Sequence, residues 1–149
     1  MTYAVLFKIY FLDSFVVRQL ERLKARIAQG DLYVIVDETK GPIDPPIGQI
    51  PHNRIIRSSE DDMIRRGFVD ADPHSAMFWH SADYSLYPLF EDHPPYDYYV
   101  SVEYDAVINA DLDEIVAGWR RKMSISSVTG STSRRRAGAG PRASTRSTT

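Results

Sequence analysis

The sequence predicts an α/β fold with a Rossmann-like open, mostly parallel sheet, and three observations predict it. Apolar runs at Tyr3 to Phe11 and at Leu32 to Val36 show almost no alternation, as in strands that are covered on both faces. An amphipathic helical pattern separates them, which gives a βαβ unit with parallel strands and a right-handed crossover. An alternating strand pattern at Tyr96 to Asn109 then leads into another helical pattern from Asp111.

The first helix is predicted directly after the first strand. Asp13 or Ser14 offers an N-cap, and Gly30 is placed to end the helix. Its apolar face is formed by residues at helical spacing, namely Phe15, Val16, Leu20, Leu23 and Ile27.

The chain leaves the second strand through Asp37 and Glu38. In open parallel sheets ligands bind beyond the carboxyl ends of the strands, so Asp37 is a candidate contact to a ribose or base. The alternative is that Asp37 and Glu38 are ordinary turn acids, and the sequence does not separate the two interpretations.

The middle of the chain carries short structural signals. Four prolines between Pro42 and Pro51 exclude regular structure there. Residues Arg54 to Arg57 indicate a short strand, and Ser59 with Asp62 resembles a capping box for a helix that stops at Gly67.

An aromatic-rich segment runs from His74 to His93 and is predicted to hold a helix that packs on the sheet. Pro88 is expected to kink this helix or to end its regular part. Asp83 lies among the aromatics, where it is either hydrogen-bonded to a ligand or backbone loop, or faces solvent at the edge of the apolar stripe. That stripe consists of Phe78, Ala82, Leu86, Leu89 and Phe90.

Glu103 and Asp105 fall on one face of the strand predicted at Tyr96 to Asn109. At a rise of about 3.3 Å per residue their Cα atoms lie roughly 6.6 Å apart, so both carboxylates can approach one hydrated divalent cation. The alternative is a half-buried strand whose polar face is exposed to solvent and binds no metal ion. Asp111 matches a D-x-x-E helix cap with Glu114 and is therefore better explained as a cap than as a ligand.

Composition limits the function classes. Residues 1–123 hold thirteen basic and twenty acidic residues, and this net charge of −7 argues against a nucleic-acid-binding core. The absence of cysteine excludes disulfides and thiolate metal sites and is compatible with a cytoplasmic location. No apolar run is long enough for a membrane span, and the chain has no P-loop, GxGxxG or GxSxG motif.

The final segment, Ser124 to Thr149, differs abruptly from the rest in composition. It holds twelve Ser or Thr, five Arg and no acid, with few apolar residues, so we expect a disordered basic tail after a domain at 1–123. One hypothesis is that the reading frame was altered near Met123. An uninterrupted reading frame with a conventional stop codon would contradict it.

Two motifs resemble a bacterial and fungal family of glycosyltransferases with a GT-A fold. They are W-x-x-x-D-Y-x-L-Y, from Trp79 to Tyr87, and Y-D-Y-Y-V-x-V-E-Y-D, from Tyr96 to Asp105. The resemblance covers roughly Tyr3 to Arg121 and implies binding of a nucleotide-sugar donor, with an unknown saccharide or glycan acceptor.

The resemblance also implies a site. Glu103 and Asp105 take the position of the acidic motif that holds Mn²⁺ or Mg²⁺ against the donor diphosphate. Asp105 is the stronger candidate for direct coordination, and Glu103 alternatively binds the ribose or a metal-bound water. A strand order of 3-2-1-4, as in such folds, brings Tyr10 and Phe11 close to both acids and makes them candidate cofactor contacts.

The chain departs from that family because only one helix and the predicted tail follow the acidic motif. The fold is therefore expected to be a truncated GT-A-like N-terminal half that lacks the acceptor half, with weak or absent transfer activity. The alternative function is a non-catalytic interaction module that associates through an exposed sheet edge.

Overall fold

The computed structural model describes residues 2–43, 50–70, 72, 74–93 and 95–131, with side chains through residue 122. Its centre is a four-stranded sheet in the order β3-β2-β1-β4, in which every pairing is parallel. The predicted α/β class, the open parallel sheet and the strand order 3-2-1-4 are confirmed. The strands are β1 (Tyr3–Ile9), β2 (Asp31–Asp37), β3 (Ile55–Ser58) and β4 (Tyr98–Glu103).

Helices connect and cover the strands. Short 3₁₀ turns occur at His52–Arg54 and at Tyr84–Leu86. The part of the chain that is described contains no helix with the length and apolarity needed to cross a membrane. The α-helices are α1 (Ser14–Lys24), α2 (Glu60–Arg65), α3 (Met77–His80), α4 (Tyr87–Asp92) and α5 (Leu112–Ser131).

Both faces of the central strand β1 are buried, which explains its continuous apolar sequence. One face, which includes Val5 and Phe7, shares a core cluster with residues of α1 and with Leu112 of α5. The other face, which includes Leu6, shares a second cluster with β2, β3 and Leu89 of α4. The sheet is therefore enclosed by helical layers on both sides at β1.

The start of α1 is predicted correctly and its end is not. The Asp13 carboxylate accepts hydrogen bonds from the backbone N–H groups of Phe15 and Val16, each at 2.9 Å, as an N-cap. The helix ends at Lys24, six residues before Gly30, so the predicted role of Gly30 is wrong. A Cβ at Gly30 would lie 2.3 Å from the Tyr3 ring, so glycine here permits a close approach to the first strand.

The signals around α2 are confirmed. Ser59 and Asp62 form a reciprocal capping box at its N-terminus. Gly67 adopts a φ of 92°, and the N–H groups of Gly67 and Phe68 donate to the carbonyls of Ile64 and Met63. These are the two bonds of a Schellman motif, which requires a residue that tolerates positive φ.

The aromatic segment does not form the single helix that its spacing predicts. Two short helices, α3 and α4, are separated by the 3₁₀ turn at Tyr84–Leu86. Pro88 lies in the first turn of α4, where its missing N–H costs no helical hydrogen bond, so it begins a helix instead of kinking one. Leu89 is buried against the sheet, whereas Trp79 is 81% exposed.

The strand predicted at Tyr96 to Asn109 is shorter than its alternation indicates. β4 ends at Glu103, which pairs with Lys8 near the end of β1, and Tyr104 and Asp105 form a turn. The Ala106 N–H donates to the Glu103 carbonyl at 3.0 Å and closes this turn. Alternating polarity continues beyond Glu103, but the chain turns at Tyr104 and Asp105, so the ladder with β1 stops at the Lys8–Glu103 pair.

The cap of α5 agrees with the prediction. The Asp111 carboxylate accepts from the N–H groups of Asp113 and Glu114 at 2.8 and 3.2 Å. The helix continues to Ser131, eight residues into the segment predicted to be disordered, and residues 132–149 of that predicted tail lie outside the described part. A compact unit spans residues 1–116, and the domain boundary at 123 stays a prediction.

Candidate functional site

A cavity of about 780 Å³ lies at the edge where the parallel strands end. Its walls come from the loop after β1 (residues 10–14), from Val17 of α1, and from the loop after β2 (residues 40–43). In open α/β sheets the crevice beyond the carboxyl ends of the strands is where ligands bind. The volume falls within the range of about 300 to 1,000 Å³ that is usual for small-molecule pockets.

The cavity walls are mostly apolar, with Phe11, Pro42 and Ile43 among them. The Lys40 ammonium lies 5.5 Å from the centre of the Tyr10 ring, within the range of a cation–π contact. The other charged group is Asp13, whose carboxylate is already occupied as the cap of α1. The cavity therefore offers apolar surface with one cation available at its rim.

Tyr10 and Phe11 form a compact aromatic triangle with Tyr104. The three ring centres are 4.9 to 5.1 Å apart and each pair packs edge to face. The hydroxyl oxygens of Tyr10 and Tyr104 are 3.0 Å apart. Tyr104 lies between Glu103 and Asp105, so the structure brings Tyr10 and Phe11, which directly follow β1, next to the acidic motif, as the predicted strand order requires.

Tyr104 keeps its proton at neutral pH. The hydrogen bond with Tyr10, followed by partial burial and the neighbouring carboxylates of Asp105 and Glu103, raises the pKa of Tyr104 to about 12. The phenol is therefore a neutral hydrogen-bonding group. It links the carboxyl ends of β1 and β4 and carries no charge of its own.

Glu103 is held by a partner that the sequence did not reveal. Lys8 donates from Nζ to Glu103 Oε1 at 2.8 Å. The two residues are directly opposite each other in the β1–β4 ladder, so their side chains share one face of the sheet. Lys8 was visible only as an interruption in an apolar strand, and 95 residues separate it from Glu103. Sequence spacing gives no signal for such a pair.

Asp105 has a different environment from Glu103. It lies in the turn after β4 with its side chain exposed. In the portion of the chain with described side chains, no hydrogen bond or ion pair engages its carboxylate.

The fit of these residues to a divalent cation is limited. Among the described residues no group of three or more His, Cys, Asp or Glu side chains is arranged to hold a metal ion. Mg²⁺ is usually held by one or two carboxylates together with substrate phosphates, so Asp105 fits a cation that brings phosphate oxygens with it. Coordination by Glu103 or Asp105 stays a prediction.

Asp37 and Glu38 both have structural partners at the end of β2. Asp37 Oδ1 accepts from the Thr39 N–H at 2.9 Å, which forms an Asx turn. Glu38 accepts from the Ile43 N–H at 3.2 Å and forms an ion pair with Arg57. Neither acid lines the cavity. These contacts fit the turn-acid interpretation of Asp37, and its contact to a ribose or base stays a prediction.

Asp83 lies apart from the residues that line the cavity. It precedes the 3₁₀ turn at Tyr84–Leu86, its side chain is exposed, and only its carbonyl takes part in the turn, accepting from the Leu86 N–H at 2.9 Å. This position fits the solvent-facing alternative. The structure thus joins Tyr10, Phe11 and the acidic motif, and leaves Asp83 outside that group.

Comparison of the chain with protein-family models, with curated proteins and with solved structures finds no match. The relationship to glycosyltransferases therefore stays a prediction that rests on the two sequence motifs.

Proposed function

We propose that the protein binds the nucleotide part of a nucleotide-sugar donor in the crevice at the carboxyl edge of its sheet, as a glycosyltransferase-like protein. The observation that carries the proposal is the position of Tyr10. It lines the cavity and also contacts Tyr104, so the cavity and the turn bearing Asp105 are neighbouring parts of one edge.

The cavity walls support a nucleotide as the ligand class. A flat base is suited to the apolar surface of Phe11, Pro42 and Ile43, where its burial removes apolar area from water. The Lys40 ammonium is a point charge at the rim and is suited to a phosphate oxygen. The base and phosphate groups of one nucleotide match this combination of apolar wall and single cation.

In this proposal the divalent cation is held by Asp105 and by the donor itself. When bound, Mg²⁺ or Mn²⁺ supplies positive charge against the diphosphate that leaves as a glycosidic bond breaks. The protein contributes the Asp105 carboxylate, whose backbone the turn after β4 positions. It also contributes the Tyr10–Tyr104 contact, which joins that turn to the cavity wall.

Calorimetric titration with UDP and GDP, each with and without Mn²⁺, tests the proposal directly. We expect one of the two nucleotides to bind in the presence of Mn²⁺, and Asp105→Asn to weaken this binding at least tenfold. Asp61→Asn is the matched control, because Asp61 is an exposed acid on α2 that does not line the cavity. Failure of both nucleotides to bind with Mn²⁺ present would refute the proposal.

A second candidate function is a non-catalytic interaction module, and the position of β4 favours it. In the described part of the chain β4 is the last strand of the sheet and has a neighbour on one side only. An edge strand of this kind offers unpaired N–H and C=O groups to another chain. Association that rises with protein concentration and is unaffected by Mn²⁺ and nucleotides, measured by sedimentation, would support this function over donor binding.

We also propose a cytoplasmic location, because the absence of cysteine agrees with a reducing compartment.

A further inference from the structure

The contact between Lys8 and Glu103 is unusual for its strand. Lys8 is the one charged residue of β1, and its side chain is only 13% exposed. The stem of Lys8 is therefore largely buried, whereas its contact with Glu103 is exposed to solvent. An ammonium next to apolar surface is stabilised by a carboxylate that neutralises it and accepts its hydrogen bonds. Glu103 meets that need from the neighbouring strand at 2.8 Å, while its own side chain is 54% exposed. Lys8 therefore depends on Glu103 more than Glu103 depends on Lys8.

The same contact reduces the negative charge that the Glu103 carboxylate can offer to another cation. A carboxylate that already binds an ammonium has less negative charge to offer, and a second cation at its oxygens is repelled by the first. A divalent cation carries twice the charge of a monovalent one, so at the same distance the ammonium repels it twice as strongly. Asp105, two residues later, has no such partner among the described side chains.

We infer that Lys8 withholds Glu103 from divalent cations, so that without a nucleotide the acidic motif presents one available carboxylate, Asp105, to a metal ion. A single carboxylate binds Mn²⁺ weakly. The cation consequently binds only together with a diphosphate, whose oxygens complete its coordination. The binding of the cation together with a diphosphate rests on the proposed function, whereas the effect of Lys8 on Glu103 does not.

The test is Mn²⁺ binding to the full chain without nucleotide, followed by the electron paramagnetic resonance signal of free Mn²⁺. The wild type should bind Mn²⁺ weakly. Lys8→Met keeps approximately the length of the side chain and removes its charge. It should raise the affinity for Mn²⁺ alone by about tenfold or more, because Mn²⁺ is no longer repelled by the ammonium and Glu103 becomes available as a second carboxylate. Adding Glu103→Gln to Lys8→Met should abolish that gain.

Two results would overturn the inference. One is an unchanged Mn²⁺ affinity in a folded Lys8→Met variant. The other is a wild type that already binds Mn²⁺ as tightly as Lys8→Met does. Thermal unfolding of each variant checks that the fold is retained.

A single variant that leaves Lys8 in place gives a second measurement. Glu103→Gln should change the affinity for Mn²⁺ with UDP or GDP by less than about threefold, since Glu103 does not act as a ligand, whereas Asp105→Asn should reduce it at least tenfold. Equal losses in the two variants would refute the inference. If the wild type binds neither nucleotide, the proposed function fails, and the role of Lys8 is still decided by Mn²⁺ binding to Lys8→Met.

Discussion

Tyr3 donates a hydrogen bond to Asp113 Oδ1 at 2.6 Å and so joins the first strand to the last helix across 110 residues. The same carboxylate accepts from the backbone N–H groups of Ala28 and Gln29 at 2.9 and 3.1 Å. One side chain therefore ties together three segments of the chain.

Substitution of Asp113 should destabilise the fold. In Asp113→Ala the Tyr3 hydroxyl and the two N–H groups lose their acceptor, and we expect the free energy of unfolding to fall by about 1 to 3 kcal/mol. Urea unfolding measures this loss. Asp83→Ala, an exposed acid whose side chain caps no helix, is the control and should change the free energy by less than about 0.5 kcal/mol. Equal stability of the two variants would contradict the assigned role of Asp113.

The contribution of Asp113 should also depend on pH. Partial burial alone would raise its pKa, but the hydrogen bonds from Tyr3, Ala28 and Gln29 outweigh burial and hold the pKa below its usual value. A depressed folded-state pKa gives stability that is complete above the unfolded value of about 3.9 and is lost as the pH falls through the folded value. The stability difference between wild type and Asp113→Ala should therefore shrink between about pH 5 and pH 2.

Gly30→Ala should destabilise the protein by about 1 to 3 kcal/mol, the usual cost of forcing extra volume into a packed site. The reason is the 2.3 Å distance between the added Cβ and the ring of Tyr3. Gly118→Ala is the matched control, because an added Cβ there meets only the end of Arg121 at 3.9 Å and alanine favours a helix. Thermal unfolding should show a lower midpoint temperature for Gly30→Ala than for the wild type. The midpoint temperature of Gly118→Ala should be unchanged or higher.

Ser59→Ala should remove the capping box of α2 and cost about 1 kcal/mol. The Ser59 hydroxyl accepts from the Asp62 N–H at 3.2 Å, and Asp62 in turn accepts from the Ser59 N–H at 3.1 Å. Ser14→Ala, in the first turn of α1, serves as the control because Asp13 supplies the cap there. Chemical denaturation measures the free energy of unfolding of both variants. If Ser14→Ala lowers it as much as Ser59→Ala does, loss of the cap is not the cause of the destabilisation.

Lys40→Ala should weaken nucleotide binding about 10- to 150-fold, since a hydrogen bond to a charged group contributes roughly 1.5 to 3 kcal/mol. Calorimetry with the nucleotide that binds best gives the measurement. Lys24→Ala, at the exposed end of α1 and outside the cavity, controls for the loss of a positive charge elsewhere. A nucleotide affinity that Lys40→Ala leaves unchanged would place the phosphate away from Lys40.

The elements that the sequence predicted are those that local chemistry specifies. The continuous apolar strands, the caps at Asp13 and Ser59, and the stop at Gly67 depend on residues within one turn or one strand. The end of β4 was not predictable in this way, because the alternating pattern continues through Tyr104 and Asp105, where the backbone leaves the ladder with β1 and turns.

The candidate site was predictable only in part for the same reason. Strand order brought Tyr10 and Phe11 to the acidic motif, and that order follows from the fold class. The Lys8–Glu103 contact depends on the register of two strands 95 residues apart, and neither periodicity nor composition reports register. The aromatic segment was interpreted wrongly because apolar residues at helical spacing do not show whether the backbone between them stays helical.

The order of the strands has a consequence for synthesis on the ribosome. β1 can pair with β2 as soon as residue 37 has emerged, but its other neighbour, β4, begins only at residue 98. At about 5 to 20 residues per second, one edge of the most apolar strand stays open for roughly 3 to 12 seconds. During that interval β1 has a free backbone edge, and the nascent chain is most exposed to pairing with a wrong partner.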